Sequence, residues 1–386
     1  MSDSPRIDEM TPDELYQAIR RGHPPCILDV RNEEEFSNWA IEGLPVNSLL
    51  NIPYFEFLED EAGCLERVPR GCEVTVVCAK GGSSAFVASI LAQHGIRARN
   101  LQGGMIAWGN LHVVTHVASP QESMVSLFQI NRVGKRCLSY VIVSDSEALV
   151  IDPSRYTDWY TSLAQDQQAQ VTCVIDTHLH ADHLSGGPGL TLTLGVPYYI
   201  RLDDAAGAQF PYLSVEDGAR LHLGSSVVEI IALHTPGHTP GSTSLLINDR
   251  YLLTGDTLFV GSIGRPDLGD KAEEWAQLLY RTLFERIARL SNDTLILPAH
   301  YSDVTEMRQD GIVATTLGEA RQNNPVFERR TEEQFLAYVL GRLPDQPPVY
   351  REIRRANLGR IVLDAEHATA AELGPNQCAA TLSPRM

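Results

Sequence analysis

Three short motifs of histidine and aspartate constrain this chain most, because each follows an apolar run that reads as a β-strand. Thr177-His178-Leu179-His180-Ala181-Asp182-His183 follows residues 171–175, Thr235-Pro236-Gly237-His238 follows residues 227–233, and Thr254-Gly255-Asp256 follows residues 251–253. A fourth candidate, His300, closes the run Leu295-Ile296-Leu297-Pro298-Ala299. Strands deliver their C-terminal ends to one edge of a sheet, where residues distant in sequence can meet around one metal ion. One such segment is suggestive; four strand ends in this order make a metal site the leading reading. The other histidines, His23, His94, His112, His116, His222 and His367, read as ordinary core or surface residues.

With 386 residues the chain is long for one core, and two or three domains are expected. Its formal charge of −18 argues against a nucleic-acid partner, which needs clustered Lys and Arg. No apolar run reaches the roughly 18–20 residues of a membrane span, so no membrane partner is expected. The start, Met1-Ser2-Asp3-Ser4-Pro5-Arg6, lacks an apolar signal core, which indicates neither secretion nor organelle import. Seven cysteines (Cys26, Cys64, Cys72, Cys78, Cys137, Cys173, Cys378) are odd in number, widely spaced and without a Cys-x-x-Cys. That usage fits free thiols in a reducing cytoplasm better than a disulfide framework.

The first hundred residues alternate helix and strand signals, from the Thr11-Pro12 helix start through short strands at 26–30 and 74–77 to a helix over 84–94. This alternation implies an α/β unit, a mostly parallel sheet covered on both faces. Residues 110–123 read as a linker. Consecutive strands at 125–130, 138–143 and 148–151 then open a second unit that contains the histidine motifs. A helix over 333–343, a proline-spaced segment and an arginine-rich stretch over 351–360 follow, and the polar tail after Gly374 is expected to fray.

Cys78-Ala79-Lys80-Gly81-Gly82-Ser83-Ser84 lies between a buried strand and a helix start. A thiol there faces backbone N–H groups and the positive end of the helix dipole, with Lys80 nearby, which suits a nucleophilic sulfur. Cys26, Cys72 and Cys173, in or beside apolar strands, read instead as buried and inert. Leu28-Asp29-Val30-Arg31 with Glu35-Phe36, Asn51-Ile52-Pro53, the Cys78 loop and Leu101-Gln102-Gly103-Gly104-Met105-Ile106-Ala107-Trp108 resemble a rhodanese domain over its whole length. The resemblance implies that Cys78 is the sulfur acceptor, within a persulfide loop of Lys80, Gly81, Gly82, Ser83 and Ser84, and that Asp29 and Arg31 form a buried structural pair. Many members have Arg where this chain has Ser83, which weakens the case for thiosulfate as direct donor.

His178, His180, Asp182, His183, His238, Asp256 and His300 resemble the ligand set of the metallo-β-lactamase fold; His234 matches no ligand position. Two chemistries fit these residues. Two zinc ions sharing Asp256 suit thioester hydrolysis of the hydroxyacylglutathione hydrolase type. One iron held by two histidines and a carboxylate leaves positions for O₂ and a sulfur substrate. Gly264-Arg265-Pro266-Asp267-Leu268, Pro298-Ala299-His300-Tyr301 and the segment from Glu319 to Pro325, with the first motif, resemble the persulfide dioxygenase family. That resemblance implies mononuclear Fe(II) on His178, His238 and Asp256, with His180, Asp182, His183 and His300 as supporting groups or a second site. It also suggests Arg321, Arg265 and Tyr301 as substrate-side residues.

The expected architecture is therefore a rhodanese-like parallel sheet over 1–112, a metallo-β-lactamase αββα sandwich with a helical extension over 123–360, and a tail over 361–386. The resemblance implies a bifunctional cytoplasmic enzyme of sulfur metabolism. It would oxidise a low-molecular-weight persulfide, such as glutathione persulfide, with O₂ to sulfite and thiol. Through Cys78 it would also interconvert persulfide, sulfite and thiosulfate. Relatives commonly assemble as dimers or tetramers, which implies a homo-oligomer. A dinuclear-zinc hydrolase with an accessory rhodanese domain is the rival, and a non-enzymatic sulfur carrier is a second.

Overall fold

The computed structural model describes residues 7–45, 47–118, 125–224, 228–329, 331–341 and 343–380. The start at 1–6, the linker end at 119–124 and the last tail residues 381–386 lie outside the described residues. The chain divides into two units.

The N-terminal unit contains β1 (Asp8–Met10), β2 (Cys26–Asp29), β3 (Leu49–Asn51), β4 (Val74–Val77) and β5 (Ala98–Leu101). They pair in parallel in the order β1-β5-β4-β2-β3. The first helix, Pro12–Arg20, begins on a reciprocal cap. The Thr11 hydroxyl accepts the Glu14 N–H, and the Glu14 carboxylate accepts the Thr11 N–H. Leu28, Val30, Val74 and Val76 pack against Val87 and Leu91 of the helix Gly82–Gln93. Ile27 and Val77, on the alternate face, are buried as well, which is why these strands read as unbroken apolar runs. Arg31 grips the Asp29 carboxylate at 2.6 Å in the interior, the buried pair that the rhodanese resemblance implies.

The larger unit is a four-layer sandwich. One sheet runs β11-β10-β9-β8-β7-β6, built from β6 (His112–Ala118), β7 (Ser126–Arg132), β8 (Cys137–Ser144), β9 (Glu147–Ile151), β10 (Gln170–Ile175) and β11 (Tyr198–Tyr199). The other runs in chain order through β12 (Arg220–His222), β13 (Glu229–His234), β14 (Thr243–Ile247), β15 (Tyr251–Gly255), β16 (Leu295–Pro298) and β17 (Thr315–Thr316). Tyr140, Ile142, Ile151 and Ile175 of the first sheet meet Ile230, Leu245, Leu253 and Leu297 of the second. Outside, Val141, Val150 and Val174 lie under Tyr160, Leu163 and Leu190, while Leu246, Leu252 and Ile296 lie under Leu279, Phe335 and Val339. Each sheet thus buries one face on the other and one under helices.

This topology brings the motifs together. β13 and β15 both run antiparallel to β14, and β16 runs parallel to β15. Their C-terminal ends therefore share one edge, and they lead directly into His238, Asp256 and His300.

Three expectations are corrected. Residues 112–118, read as linker, form edge strand β6 with alternating burial, because the β-branched run Val113-Val114-Thr115 pairs once a sheet is available. The tail is not frayed as far as residue 380: Cys378, Ala379 and Ala380 are buried, and the Ala380 N–H donates to the Ile263 carbonyl at 2.9 Å. Cys26 and Cys72 are paired as a disulfide instead of free thiols, since both sit at the entries of adjacent parallel strands. Among the described residues no helix is long and apolar enough to cross a membrane.

Candidate metal centre and cysteine loop

Where β10 ends, Asp152 organises the first motif from below. Its Oδ1 accepts the Thr177 N–H at 2.7 Å and its Oδ2 accepts the Thr177 hydroxyl at 2.8 Å. Having spent its one proton, the Thr177 hydroxyl accepts from Nδ1–H of His178 at 2.9 Å. His238 donates its own Nδ1–H to the main-chain carbonyl of Arg265, also at 2.9 Å. Both rings are therefore held with Nε2 as a bare lone pair.

Those two nitrogens and Oδ2 of Asp256 are buried without any hydrogen-bond partner among the described residues. They converge, with Oδ2 of Asp256 lying 3.4 Å from His238 Nε2 and 3.7 Å from His178 Nε2. Buried polar atoms are otherwise satisfied, so three orphaned donors of electron pairs facing one point fit a bound cation. The electrostatics agree. Burial holds both histidines below the ordinary imidazole range, hence neutral and able to ligate. Burial alone would raise Asp256, but His300, His178 and His238 hold it well below the carboxylate range. Gly264 packs so closely that a Cβ there would stand 1.9 Å from the Asp256 carbonyl and 2.9 Å from His238 Nδ1.

The remaining motif residues make a different arrangement. His300 Nδ1 lies 2.5 Å from Asp256 Oδ1, and its Nε2 lies 3.0 Å from Asp182 Oδ2. Cys137, at the start of β8, inserts its sulfur here, 3.1 Å from both His300 Nε2 and Asp182 Oδ2 and 3.9 Å from His183 Nδ1. None of the buried nitrogens or oxygens of Asp182, His183 or His300 lacks a partner. Although burial opposes it, Asp182 and Cys137 push His183 up to about 10, and Asp182 and Asp256 raise His300 well above its ordinary value. Hydrogen bonds among its own residues occupy this half of the site, with His183 engaged through Nδ1. His180 stands between the two halves: its Nε2 bonds Asp152 Oδ1 at 3.1 Å, while its Nδ1 is unpartnered.

The C-terminal helices support the first motif. Asn357, at the end of helix Val349–Asn357, donates from Nδ2 to the carbonyls of His180 at 3.0 Å and His183 at 2.8 Å. Its Oδ1 accepts the Ser185 N–H at 3.0 Å. Glu372 accepts the Leu184 N–H at 2.8 Å. Cys378 lies against Asp256 and His300, and its carbonyl accepts the Arg265 N–H at 2.7 Å. Sequence reasoning missed Cys137, Asn357 and Cys378; among them only the position of Cys137, opening a strand, carried any local signal.

The residues suggested as substrate-side take separate places. Arg265 is fully buried, ion-paired with Asp267 at 2.7 Å and bonded to the Gln377 carbonyl at 3.3 Å, and it touches the centre through its main chain. The Tyr301 hydroxyl donates to Asn131 Oδ1 at 3.3 Å. Arg321 donates to the Ala288 carbonyl at 2.8 Å and to the Asn292 side chain, partners outside the histidine–aspartate group.

In the N-terminal unit, Cys78 follows β4 and faces the helix Gly82–Gln93. Its sulfur accepts the Gly81 N–H at 3.1 Å, which the left-handed Gly81 (φ 93°) turns inward. The Ser84 hydroxyl lies 3.1 Å from the sulfur and 2.6 Å from Asn100 Oδ1. Lys80 and Gly82 are exposed and Ser83 is half-buried.

A parallel sheet with a cysteine loop, joined to an αββα sandwich with this histidine–aspartate edge, defines a rhodanese–metallo-β-lactamase fusion. The family described as "Rhodanese-like domain" matches residues 11–111, and "Metallo-beta-lactamase superfamily" matches residues 132–300. The persulfide dioxygenase ETHE1, mitochondrial, of Homo sapiens is 33% identical over 189 residues, which cover 48% of this chain and 69% of that protein. ETHE1 from Myxococcus xanthus superposes with a TM-score of 0.52 at 25% identity, covering 60% of this chain and 98% of that one. A metallo-β-lactamase from Staphylococcus aureus gives a TM-score of 0.56 at 27% identity, covering 62% of this chain and 74% of that one. The chain belongs to the persulfide dioxygenase family of the metallo-β-lactamase superfamily and carries an N-terminal rhodanese-like domain.

Proposed function

We propose that the chain is a two-part sulfur enzyme. Its larger unit oxidises a low-molecular-weight persulfide, such as glutathione persulfide, and its N-terminal unit moves sulfane sulfur through Cys78. In the first reaction a persulfide, O₂ and water give a thiol, sulfite and two protons. The observation that carries this reading is the asymmetry of the site. Two neutral imidazoles and one carboxylate offer orphaned lone pairs, while Asp182, both nitrogens of His300 and Nδ1 of His183 are already engaged with one another, with Asp256 or with Cys137. That favours one ion on His178, His238 and Asp256 over a pair.

Iron(II) held there supplies the redox chemistry that dioxygen and reduced sulfur require, and zinc does not. His178 and His238 offer their nitrogens without first losing a proton, and Asp256 supplies the negative charge. His300 keeps a proton at Nδ1 against Asp256 Oδ1, which fixes the carboxylate so that Oδ2 faces the ligands.

In the N-terminal unit the Cys78 sulfur attacks the outer sulfur of a persulfide, the S–S bond breaks and the thiol leaves. Sulfite then takes the sulfane sulfur as thiosulfate and restores Cys78. The Gly81 N–H donates to the sulfur and holds its negative charge. Joining the two steps in one chain raises the local sulfite concentration for the second.

The test is metal analysis of anaerobically purified protein together with an oxygen electrode. One equivalent of iron and O₂ uptake on glutathione persulfide support the reading. Two equivalents of zinc with thioester turnover and no O₂ uptake reject it.

A further inference from the structure

Beside the loop that carries His238 is a cavity of about 400 Å³ lined by Arg281, Arg286, Arg289, His234, Thr282 and Glu285. That is the volume of roughly a dozen waters, more than an inorganic oxyanion fills. Three guanidinium groups around one hollow are unusual in a chain with a formal charge of −18. Only Arg286 is matched, by Asp217, whose carboxylate also takes the His234 N–H at 2.9 Å. Arg281 and Arg289 have no ion-pair or hydrogen-bond partner among the described residues. Without an anion they repel each other and Arg286, with Glu285 alone as a further counter-charge.

The backbone explains how they gather. The helix Ala272–Arg281 continues as a π-helical turn over Thr282–Arg286 and a 3₁₀ turn over Ile287–Arg289. Arg281 ends the α-helix, Arg286 ends the π-helical turn and Arg289 ends the 3₁₀ turn, and π-helical turns occur frequently at functional sites. The same turn is tied to the metal-ligand loop. The Thr282 hydroxyl donates to the Pro236 carbonyl at 2.8 Å, and Gly237 lies so close to Leu279 that a Cβ there would stand 2.4 Å from the Leu279 Cβ.

We propose that this cavity is a binding site for a small organic polyanion bearing two or more carboxylate or phosphate groups, which bridges Arg281 and Arg289. Because Pro236 is two residues from His238, an occupant braces the loop that presents this ligand. The site is separate from the persulfide chemistry and stands even if that reading fails.

Isothermal titration calorimetry of the full chain at physiological salt, with citrate and with ADP as probes, tests it. One of the two binds, and the preferred arm identifies carboxylate or phosphate as the recognised group. The R281A/R289A double variant, altered only at exposed positions, weakens that binding at least tenfold, a loss expected for charge-assisted contacts. E285Q strengthens it about two- to fivefold by removing the opposing charge. Failure of both probes to bind, or binding unchanged in the double variant, overturns the proposal.

Discussion

His238 gives its Nδ1 proton to the carbonyl of Arg265 at 2.9 Å, so the orientation of the ring proposed as a metal ligand depends on the main chain of a fully buried arginine. The guanidinium of Arg265 is fixed in turn by Asp267 and the Gln377 carbonyl. Arg265→Met fills the space but releases these anchors, and the carbonyl drifts. Metal affinity is expected to fall about 10–100-fold, the range typical for groups that orient a ligand. Competition against a chromogenic chelator measures it; wild-type affinity in a folded variant would show that the side chain is dispensable.

Asn357 offers a second handle on the same centre through the main chain of the first motif. Asn357→Asp keeps the acceptor for Ser185 N–H but turns an oxygen towards the carbonyls of His180 and His183, where Nδ2 now donates. The loop should loosen, with metal release accelerated and affinity lowered about tenfold or more, while the far-ultraviolet circular dichroism stays native. A cobalt-substituted sample whose visible spectrum matches wild type would count against a positioning role.

The two proposed activities are expected to separate by mutation. Asp256→Ala removes one of the three converging ligand atoms and should abolish persulfide-dependent O₂ uptake, leaving thiosulfate formation at Cys78 intact. Cys78→Ser should do the reverse. Wild-type thiosulfate formation by Cys78→Ser would defeat the sulfurtransferase assignment.

The buried histidines predict a two-sided pH dependence for metal-free protein. His183 is raised from 6.5 to about 10 by Asp182 and Cys137 against its burial, so its stabilisation is complete below about 6.5 and fades as pH climbs towards 10. His178 and His238 are lowered by burial, so theirs is present above 6.5 and fades as pH falls below it. The thermal midpoint should therefore be highest near neutrality and decline on both sides, as calorimetry of chelator-treated protein can show. A midpoint constant from pH 7 to 10 would contradict the assignment of His183.

The fold and most of the centre were legible because the informative residues are local to strand ends. Asp256 and His238 sit within a few residues of apolar runs that could only be buried strands. What stayed hidden came from distance or from context. Asn357 reaches His183 across 174 positions and Cys137 reaches His300 across 163, and no spacing rule connects such pairs. The short run at 112–118 passes for a hinge until a neighbouring strand is there to take its hydrogen bonds. The Cys26–Cys72 pairing depends on the register of β2 against β4, which cysteine counting does not contain. The tail after Gly374 suggested fraying because it is polar, and nothing local shows that Cys378, Ala379 and Ala380 are covered.

The short pairing of residues 378–380 with Ile263 and Arg265 has a temporal implication. A nascent chain leaving the ribosome exposes every histidine of the first motif long before the segment 378–380, which bonds Ile263 and Arg265 beside His238, emerges. Deleting residues 376–386 is therefore expected to weaken metal binding even though every histidine and aspartate of the motifs is retained, because the Arg265 N–H loses the Cys378 carbonyl and the Ala380 N–H no longer reaches Ile263.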